Sequence, residues 1–371
     1  MFEEILDNYS WKEIEQRINS KTASDVQRAI YNDSRNLDDF MALISPSAED
    51  FIEEIAQKSK ELTLKRFGKT VRLYIPLYLS NECSNACVYC GFNCRNNIAR
   101  TTLDFDTVKK ELEAIKEMGF ESILIVTGEH PKKAGVDYLK KAVDMASKMF
   151  AQVSLEVQPL DMEDYSDLMK EGLHSVYVYQ ETYNKQNYQN YHLGGKKADF
   201  SYRLDTPDRL GVAGIHRMGL GVLLGLENWR VDSFFTALHL DYLRRKYWKT
   251  KYSISFPRLR PHAGNFEPSY PISDKQLVLL MCAYRLFDED VEISLSTREN
   301  AYFRDNVFPL AVSAMSAGSS TEPGGYSDGD HGLEQFSVDD DRSPLDVAHV
   351  IKEKGYDPVW KDWDGGFFYR K

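Results

Sequence analysis

Apolar residues recur at three- and four-residue spacing through the first seventy positions, and at two-residue spacing in short runs after that. Residues 11–18, 23–30 and 50–67 therefore read as helices, with Phe51, Ile52, Ile55 and Leu62 on one face of the last. Beyond Gly68, short stretches rich in β-branched and aromatic residues alternate with helical ones. Strands are predicted at 71–79, 122–127, 152–158, 175–180, 220–226, 251–256, 291–297 and 310–316. Helices are predicted at 106–118, 138–150, 161–171, 208–218, 233–247 and 273–287. Strands joined by crossover helices in this number predict an α/β fold, a (β/α)8 TIM-type barrel. The expected organisation is an N-terminal helical segment (1–69) packed against one end, a barrel (70–318), and a C-terminal lid and tail (319–371) packed on the barrel.

Parity along the strands says what fills the lumen. Val291, Ile293 and Leu295 oppose Glu292, Ser294, Ser296 and Arg298; Leu73, Ile75 and Leu77 oppose Tyr74 and Tyr78. Likewise Val153, Leu155 and Val157 oppose Ser154, Glu156 and Gln158, and Val176 and Val178 oppose Tyr177, Tyr179 and Glu181. A barrel that is only structural fills its centre with branched aliphatic side chains. Carboxylates and hydroxyls there require polar partners, either one another or a polar ligand.

Charge narrows the partners. A net charge of −11 with a pI near 5.3, and no lysine cluster interleaved with aromatics, disfavours nucleic acid. The acidic start MFEEILDNYSW lacks a signal-peptide pattern and no apolar run approaches a membrane span, so a cytoplasmic, reducing location is expected. The Gly-, Ser- and Asp-rich segment 317–341 reads as a loop or lid, and the aromatic tail ending VWKDWDGGFFYRK as a docked terminus.

The chemistry centres on NECSNACVYCGF, on the loop after the first barrel strand, where barrel active sites lie. Five cysteines, an odd number, argue against disulfides in a reducing compartment. Cys83, Cys87 and Cys90, spaced Cys-x3-Cys-x2-Cys, can hold three irons of a cubane cluster and leave the fourth open. Structural zinc with Cys94 as fourth ligand is the competing reading, against which stands the lack of a second separated Cys-x2-Cys unit.

That cysteine spacing, with Tyr89 before the third cysteine, resembles the signature of the radical S-adenosylmethionine enzymes. IPLYLSNECSNACVYCGF, ILIVTGEH, LEVQPL, VYQETY, DTPDRLG, SFPRLRP and LSTRE, in order, resemble the 2-iminoacetate synthase family of tyrosine lyases in thiamine thiazole biosynthesis. The resemblance implies a [4Fe–4S] cluster on Cys83, Cys87 and Cys90, with S-adenosylmethionine on its open iron. It implies Tyr89 and Phe92 beside the adenine, and Thr127, Gly128 and Glu129 as the segment that receives the cofactor's ammonium. Glu156 and Gln158 are candidates for the ribose or methionyl group. Gly225, with Gly219 and Gly221, falls in a fifth-strand glycine motif that lets backbone approach the adenine, although the spacing departs from the family's. For the carboxylate of an L-tyrosine substrate, Arg298 with Ser296 is the first candidate, and Arg258 and Arg260 are alternatives. The implied reaction cleaves the Cα–Cβ bond of tyrosine to 2-iminoacetate and p-cresol. The implied partners are a thiazole synthase subunit and reduced flavodoxin or ferredoxin. The related lyase that matures [FeFe]-hydrogenase carries further C-terminal cysteines for a second cluster; here the only later one is Cys282.

Overall fold

Eight parallel strands close on themselves: β1 (Thr70–Ser80), β2 (Ser122–Thr127), β3 (Gln152–Glu156), β4 (Leu173–Tyr177), β5 (Arg217–Gly221), β6 (Lys251–Ser255), β7 (Glu292–Leu295) and β8 (Ala314–Ser316). The computed structural model describes residues 1–263, 266–327 and 334–362. β1 closes the ring by pairing with β2 (Ile75 to Ile123, Leu77 to Ile125) and β8 (Leu73 to Met315). A ninth strand, β9 (Asp357–Val359), joins the start of β1 in parallel, and Trp360 packs edge-on against Phe120. That docks the tail as far as Asp362; 363–371 and 328–333 of the expected lid lie outside the described residues.

Leu73, Ile75 and Leu77 are fully buried against the outer helices, as their parity requires. The N-terminal helices pack mainly along the barrel's outer helices, while Phe2–Leu6 also reaches the segment after β4 through Glu3 to Lys185 and Ser201. Ile52–Phe67 lies along the outer helices Asp274–Phe287 and Ala301–Ala311, and Leu37–Leu43, absent from the sequence reading, packs on Asp274–Phe287 behind a capping box from Asn36 to Asp39.

Two boundaries move for local reasons. The helix predicted at 208–218 is Thr206–Ala213, because Gly214 adopts φ +83 at its C-cap; β5 accordingly begins at Arg217, not Leu220. The strand predicted at 310–316 starts late: helix Ala301–Ala311, begun at an Asn300 cap and tolerating Pro309, takes its first two residues, leaving β8 with three. The Leu310 carbonyl near that helix's end is satisfied by the hydroxyls of Ser59 and Thr63.

At the N-terminal end of the lumen the Arg72 guanidinium donates to Glu292 (2.8 Å) and Ser122 (2.9 Å), and Arg217 pairs with the other Glu292 oxygen at 3.1 Å. This layer floors the barrel. Burial works against the Glu292 charge, but Arg217 and Arg72 overcome it and hold the carboxyl at about 2.

Candidate active site

The cysteine loop has no regular structure, so its backbone groups are satisfied by side chains and neighbouring loops. Asn81 bridges Ala99 and Thr101, and Asn93 donates to the Cys87 carbonyl (2.8 Å). Arg100 donates to the carbonyls of Asn81, Phe92, Asn93 and Asn96. The loops after β2 and β4 clamp the two sides, through Ser84 N to Glu129 O (3.0 Å), Ala86 N to Gly194 O (3.0 Å) and Val88 N to Tyr191 O (3.0 Å). Gly128 is required by this clamp: a Cβ there would lie 2.3 Å from the Glu82 carbonyl oxygen.

Cys83, Cys87 and Cys90 line one wall of a cavity that runs from the mouth into the lumen. Burial lifts Cys83 to about 11 and Cys87 higher still, and their mutual repulsion acts in the same direction. Such thiols ionise only against a cation. Among the described residues, no three His, Cys, Asp or Glu side chains close around a single ion. Three sulfurs on one wall, with Cys94 exposed, are the donor set of a cubane with one open corner, whereas a closed tetrahedral zinc site would need a fourth ligand. Cys94 is exposed and Cys282 is buried in the helix Asp274–Phe287.

Beside the cysteines, two acids and two bases form a buried square. Arg203 donates to Glu129 (3.0 Å), Lys197 to Glu181 (2.7 Å), and the diagonal contacts are 3.9 Å for Lys197 to Glu129 and 3.7 Å for Arg203 to Glu181. Asn85 donates to the second Glu129 oxygen (2.8 Å). Burial opposes the Glu129 charge, yet Arg203 and Lys197 outweigh it and keep the carboxyl below its ordinary value. Glu181 holds φ +69, the only positive φ at a non-glycine position among the described residues, so backbone strain is stored at this square.

Deeper in the cavity stand Tyr74, Ser154, Glu156, Tyr177, Tyr179, Ser294, Ser296 and Arg298, the polar parity of the sequence pattern, joined by Ser255 of β6. Arg298 differs from the other site cations. Its guanidinium stacks 3.4 Å from the Phe336 ring centroid and makes one long bond to the Arg258 carbonyl (3.4 Å), while no carboxylate of the described residues pairs with it. Desolvation lowers its affinity for its own proton. Glu156 receives no hydrogen bond among the described residues; burial raises its carboxyl to about 7, against the pull of nearby Arg298. Strand β5 is glycine at 219 and 221 to make room for β4: a Cβ at Gly219 would lie 2.0 Å from the Tyr177 ring, and one at Gly221 3.0 Å from Tyr179. The clearance left by these two glycines is taken up by the rings of Tyr177 and Tyr179.

Of the residues singled out from the sequence, the cavity wall gathers Cys83, Cys87, Cys90, Tyr89, Phe92, Thr127, Gly128, Glu129, Glu156, Ser296, Arg298 and Arg260. Gln158, Gly225 and Arg258 are not on it. Gln158 donates to the Ala134 carbonyl (2.8 Å), Gly225 packs near Leu259 and Pro268, and Arg258 is tied to Glu299 and Asp274. Arg260 is paired with Asp339. Sequence reasoning missed Asn85, Lys197, Arg203, Gln335 and Phe336. Asn85 sits in the loop after β1, and Lys197 and Arg203 in the short helices Lys196–Ala198 and Phe200–Leu204 that follow β4, on the C-terminal side of the barrel, a position that could have flagged them. Gln335 and Phe336 cross the mouth from the lid, where Gln335 accepts the Tyr78 hydroxyl (2.8 Å).

A closed parallel barrel with three cysteines after its first strand defines an enzyme of the radical S-adenosylmethionine class, and the Radical SAM superfamily model matches residues 77–237. The Biotin and Thiamin Synthesis associated domain matches residues 255–357. The chain belongs to the 2-iminoacetate synthase family. It is 52% identical over 355 residues to the 2-iminoacetate synthase of Escherichia coli (strain K12), covering 95% of this chain and 94% of that one. The corresponding protein of Salmonella typhimurium is 51% identical over the same length. Among solved structures, HydG, a maturase of the [FeFe]-hydrogenase, superposes with a TM-score of 0.89 at 30% identity, covering 95% of this chain and 80% of HydG. Methylornithine synthase (PylB), at 18% identity and a TM-score of 0.73, shares the fold.

Proposed function

We infer that this chain cleaves the Cα–Cβ bond of L-tyrosine to 2-iminoacetate and p-cresol, consuming S-adenosylmethionine and releasing methionine and 5′-deoxyadenosine. The observation that carries the reading is Arg298: a cation inside an enclosed cavity, below the cysteine loop, without a carboxylate partner of its own. A planar guanidinium in that setting suits an amino-acid carboxylate. A [4Fe–4S] cluster with bound S-adenosylmethionine supplies a carbon radical able to abstract hydrogen from the substrate.

Cys83, Cys87 and Cys90 would hold the cluster. Tyr89 and Phe92 offer faces for the adenine, and Glu129, already charged, offers lone pairs to the cofactor's ammonium alongside Thr127 and Gly128. Arg298 and Ser296 bind the substrate carboxylate. Glu156, beside Arg298, gains from an ammonium, because that charge relieves a carboxylate which burial disfavours. Gln335 and Phe336, crossing the mouth, help exclude water from a site whose chemistry water would divert. Support for tyrosine also comes from the name of the relatives, whose product requires an amino acid to lose its side chain.

2-Iminoacetate hydrolyses readily, which favours direct handover to a thiazole synthase subunit, and a reduced flavodoxin or ferredoxin in the cytoplasm would supply electrons. No helix of the described residues is long and apolar enough to cross a membrane. Anaerobic turnover with reductant and either tyrosine or tryptophan, followed by chromatography, tests the reading: p-cresol from tyrosine supports it, and 5′-deoxyadenosine without p-cresol refutes it.

A further inference from the structure

Half-way down the lumen, below Arg298 and above the Arg72–Glu292 floor, lies a ring of hydroxyls. Tyr74 and Ser294 are bonded to each other at 3.0 Å, and Tyr179 donates to Ser255 at 3.0 Å. Ser154, across the barrel on β3, makes no hydrogen bond among the described residues although it lines the cavity. A hydroxyl carries one proton and two lone pairs. Each bonded pair therefore uses one of its two protons and leaves one donor and several acceptors, while Ser154 leaves its whole capacity. A ring so under-used, in a space closed below by an ion-paired layer, is built for one more polar hydrogen-bonding group.

We propose that this ring, Ser154 with the Tyr74–Ser294 and Tyr179–Ser255 pairs, is the subsite that receives the phenol hydroxyl of the substrate and selects tyrosine over phenylalanine. The inference rests on the tyrosine reading of the same site. Orientation follows from the charges: Arg298 and Glu156 form the cation and anion an amino-acid head requires, and they lie on the cysteine side of the ring. The head thus faces the hydrogen-abstracting chemistry and the side chain points down. Ser294 lies two residues below Ser296, roughly 6.6 Å along a strand, which matches the reach from a tyrosine Cα to its phenol oxygen. The aromatic ring then passes Leu124 and Pro76, two of the apolar residues that line the cavity. Tyr177 sits lower, where the Arg72 charge lies close enough to act on its hydroxyl.

A site built to hydrogen-bond a hydroxyl rejects the analogue lacking it by about 10⁴-fold or more, because its polar groups are left unpaired. Ser154→Ala, Tyr74→Phe and Tyr179→Phe remove hydroxyls while keeping shape. Tyrosine and phenylalanine binding are measured by anaerobic calorimetry on reconstituted enzyme with S-adenosylmethionine, and KM and kcat with tyrosine in parallel. Iron content and circular dichroism establish that each variant is folded and loaded. Each single change is expected to weaken tyrosine by about three- to tenfold, to leave phenylalanine unchanged or tighter, and to raise KM more than it lowers kcat. The triple variant should narrow the tyrosine-to-phenylalanine ratio by about two powers of ten, from three such losses. If p-cresol forms and the ratio is the same in every variant, the subsite is wrong and the lyase reading stands. If tyrosine binds with the expected ratios and no p-cresol forms, the lyase reading falls and the subsite stands. Failure of the wild type to bind tyrosine overturns both.

Discussion

Replacing Arg298 by Met should move stability and ligand binding in opposite directions. In the ligand-free protein the guanidinium is largely out of water, stacks on Phe336 and has no carboxylate partner among the described residues. Methionine loses the cation–π contact, worth about 1–2 kcal/mol when desolvated, and relieves the burial of an unpaired charge, worth about as much or more. The expected net change is zero to about 2 kcal/mol of added stability. Unfolding carries about 2.1 cal/mol/K of entropy per residue, so a chain of this length would melt at the same temperature or two to three degrees higher. Tyrosine, in contrast, loses two charge-assisted hydrogen bonds worth about 1.5–3 kcal/mol each. Its Kd should rise by at least two powers of ten, at about 1.4 kcal/mol per decade. Arg298→Lys keeps the charge without the planar fork and should recover part of the affinity. The assays are differential scanning of apoprotein and anaerobic calorimetry with tyrosine. An Arg298→Met apoprotein that melts several degrees lower, or one that binds tyrosine within threefold of wild type, would show the arginine to be structural.

Alanine at Cys83, Cys87 or Cys90 should each abolish cluster iron and sulfide after anaerobic reconstitution, whereas alanine at exposed Cys94 should leave both at wild-type levels. Glu292→Gln leaves Arg217 without its carboxylate and Arg72 with only Asp362 at 3.7 Å, and should cost about 3–5 kcal/mol, or roughly 4–6 °C in a thermal melt; adding Arg72→Met should return part of it. Because Glu292 is held at about 2 when folded, its stabilisation is present above the ordinary carboxylate value and is lost as pH falls toward 2. Glu156 has the opposite sign. Between its ordinary value of 4.5 and about 7 the folded chain keeps a proton that the unfolded chain has released, so this group's contribution to stability falls as pH rises across that window. Urea titrations across the window should show a flatter pH dependence for Glu156→Gln than for wild type.

The barrel and the outline of its site were legible because both depend on short-range pattern. Alternation at two-residue spacing placed Tyr74, Ser154, Glu156, Ser294 and Arg298 on the lumen side, and the cysteine spacing placed the loop at the mouth. What failed to show was anything set by long-range geometry. Lys197 and Arg203 are ordinary loop and helix cations in sequence, and only the closing of the barrel brings them onto Glu129 and Glu181. The glycines of β5 announce a close approach without saying by what; the structure answers with the rings of Tyr177 and Tyr179. The sequence ranks Arg298 ahead of Arg258 without a partner for either; in the fold Glu299 takes Arg258 and Arg298 is left facing the cavity.

The charges around the cavity sort into two sets that match two amino-acid heads. S-adenosylmethionine and tyrosine each present a carboxylate and an ammonium, so a site for both must offer two cations and two anions that can be shared without leaving a net buried charge. The upper set, Glu129 and Glu181 with Lys197 and Arg203, is self-paired at 2.7–3.9 Å, and a zwitterion joining it adds bonds without changing the balance. The lower set, Arg298 and Glu156, is balanced in sign once Glu156 is ionised but joined by no hydrogen bond or ion pair among the described residues, so each member is incompletely satisfied until a zwitterion, whose ammonium favours that ionisation, bridges them. A self-satisfied upper set costs little to keep preorganised, while an unsatisfied lower set gives tyrosine the larger change in electrostatic energy on binding. The arrangement therefore favours binding tyrosine most where its head bridges Arg298 and Glu156, directly below the cysteine loop, with its side chain already committed to the hydroxyl ring.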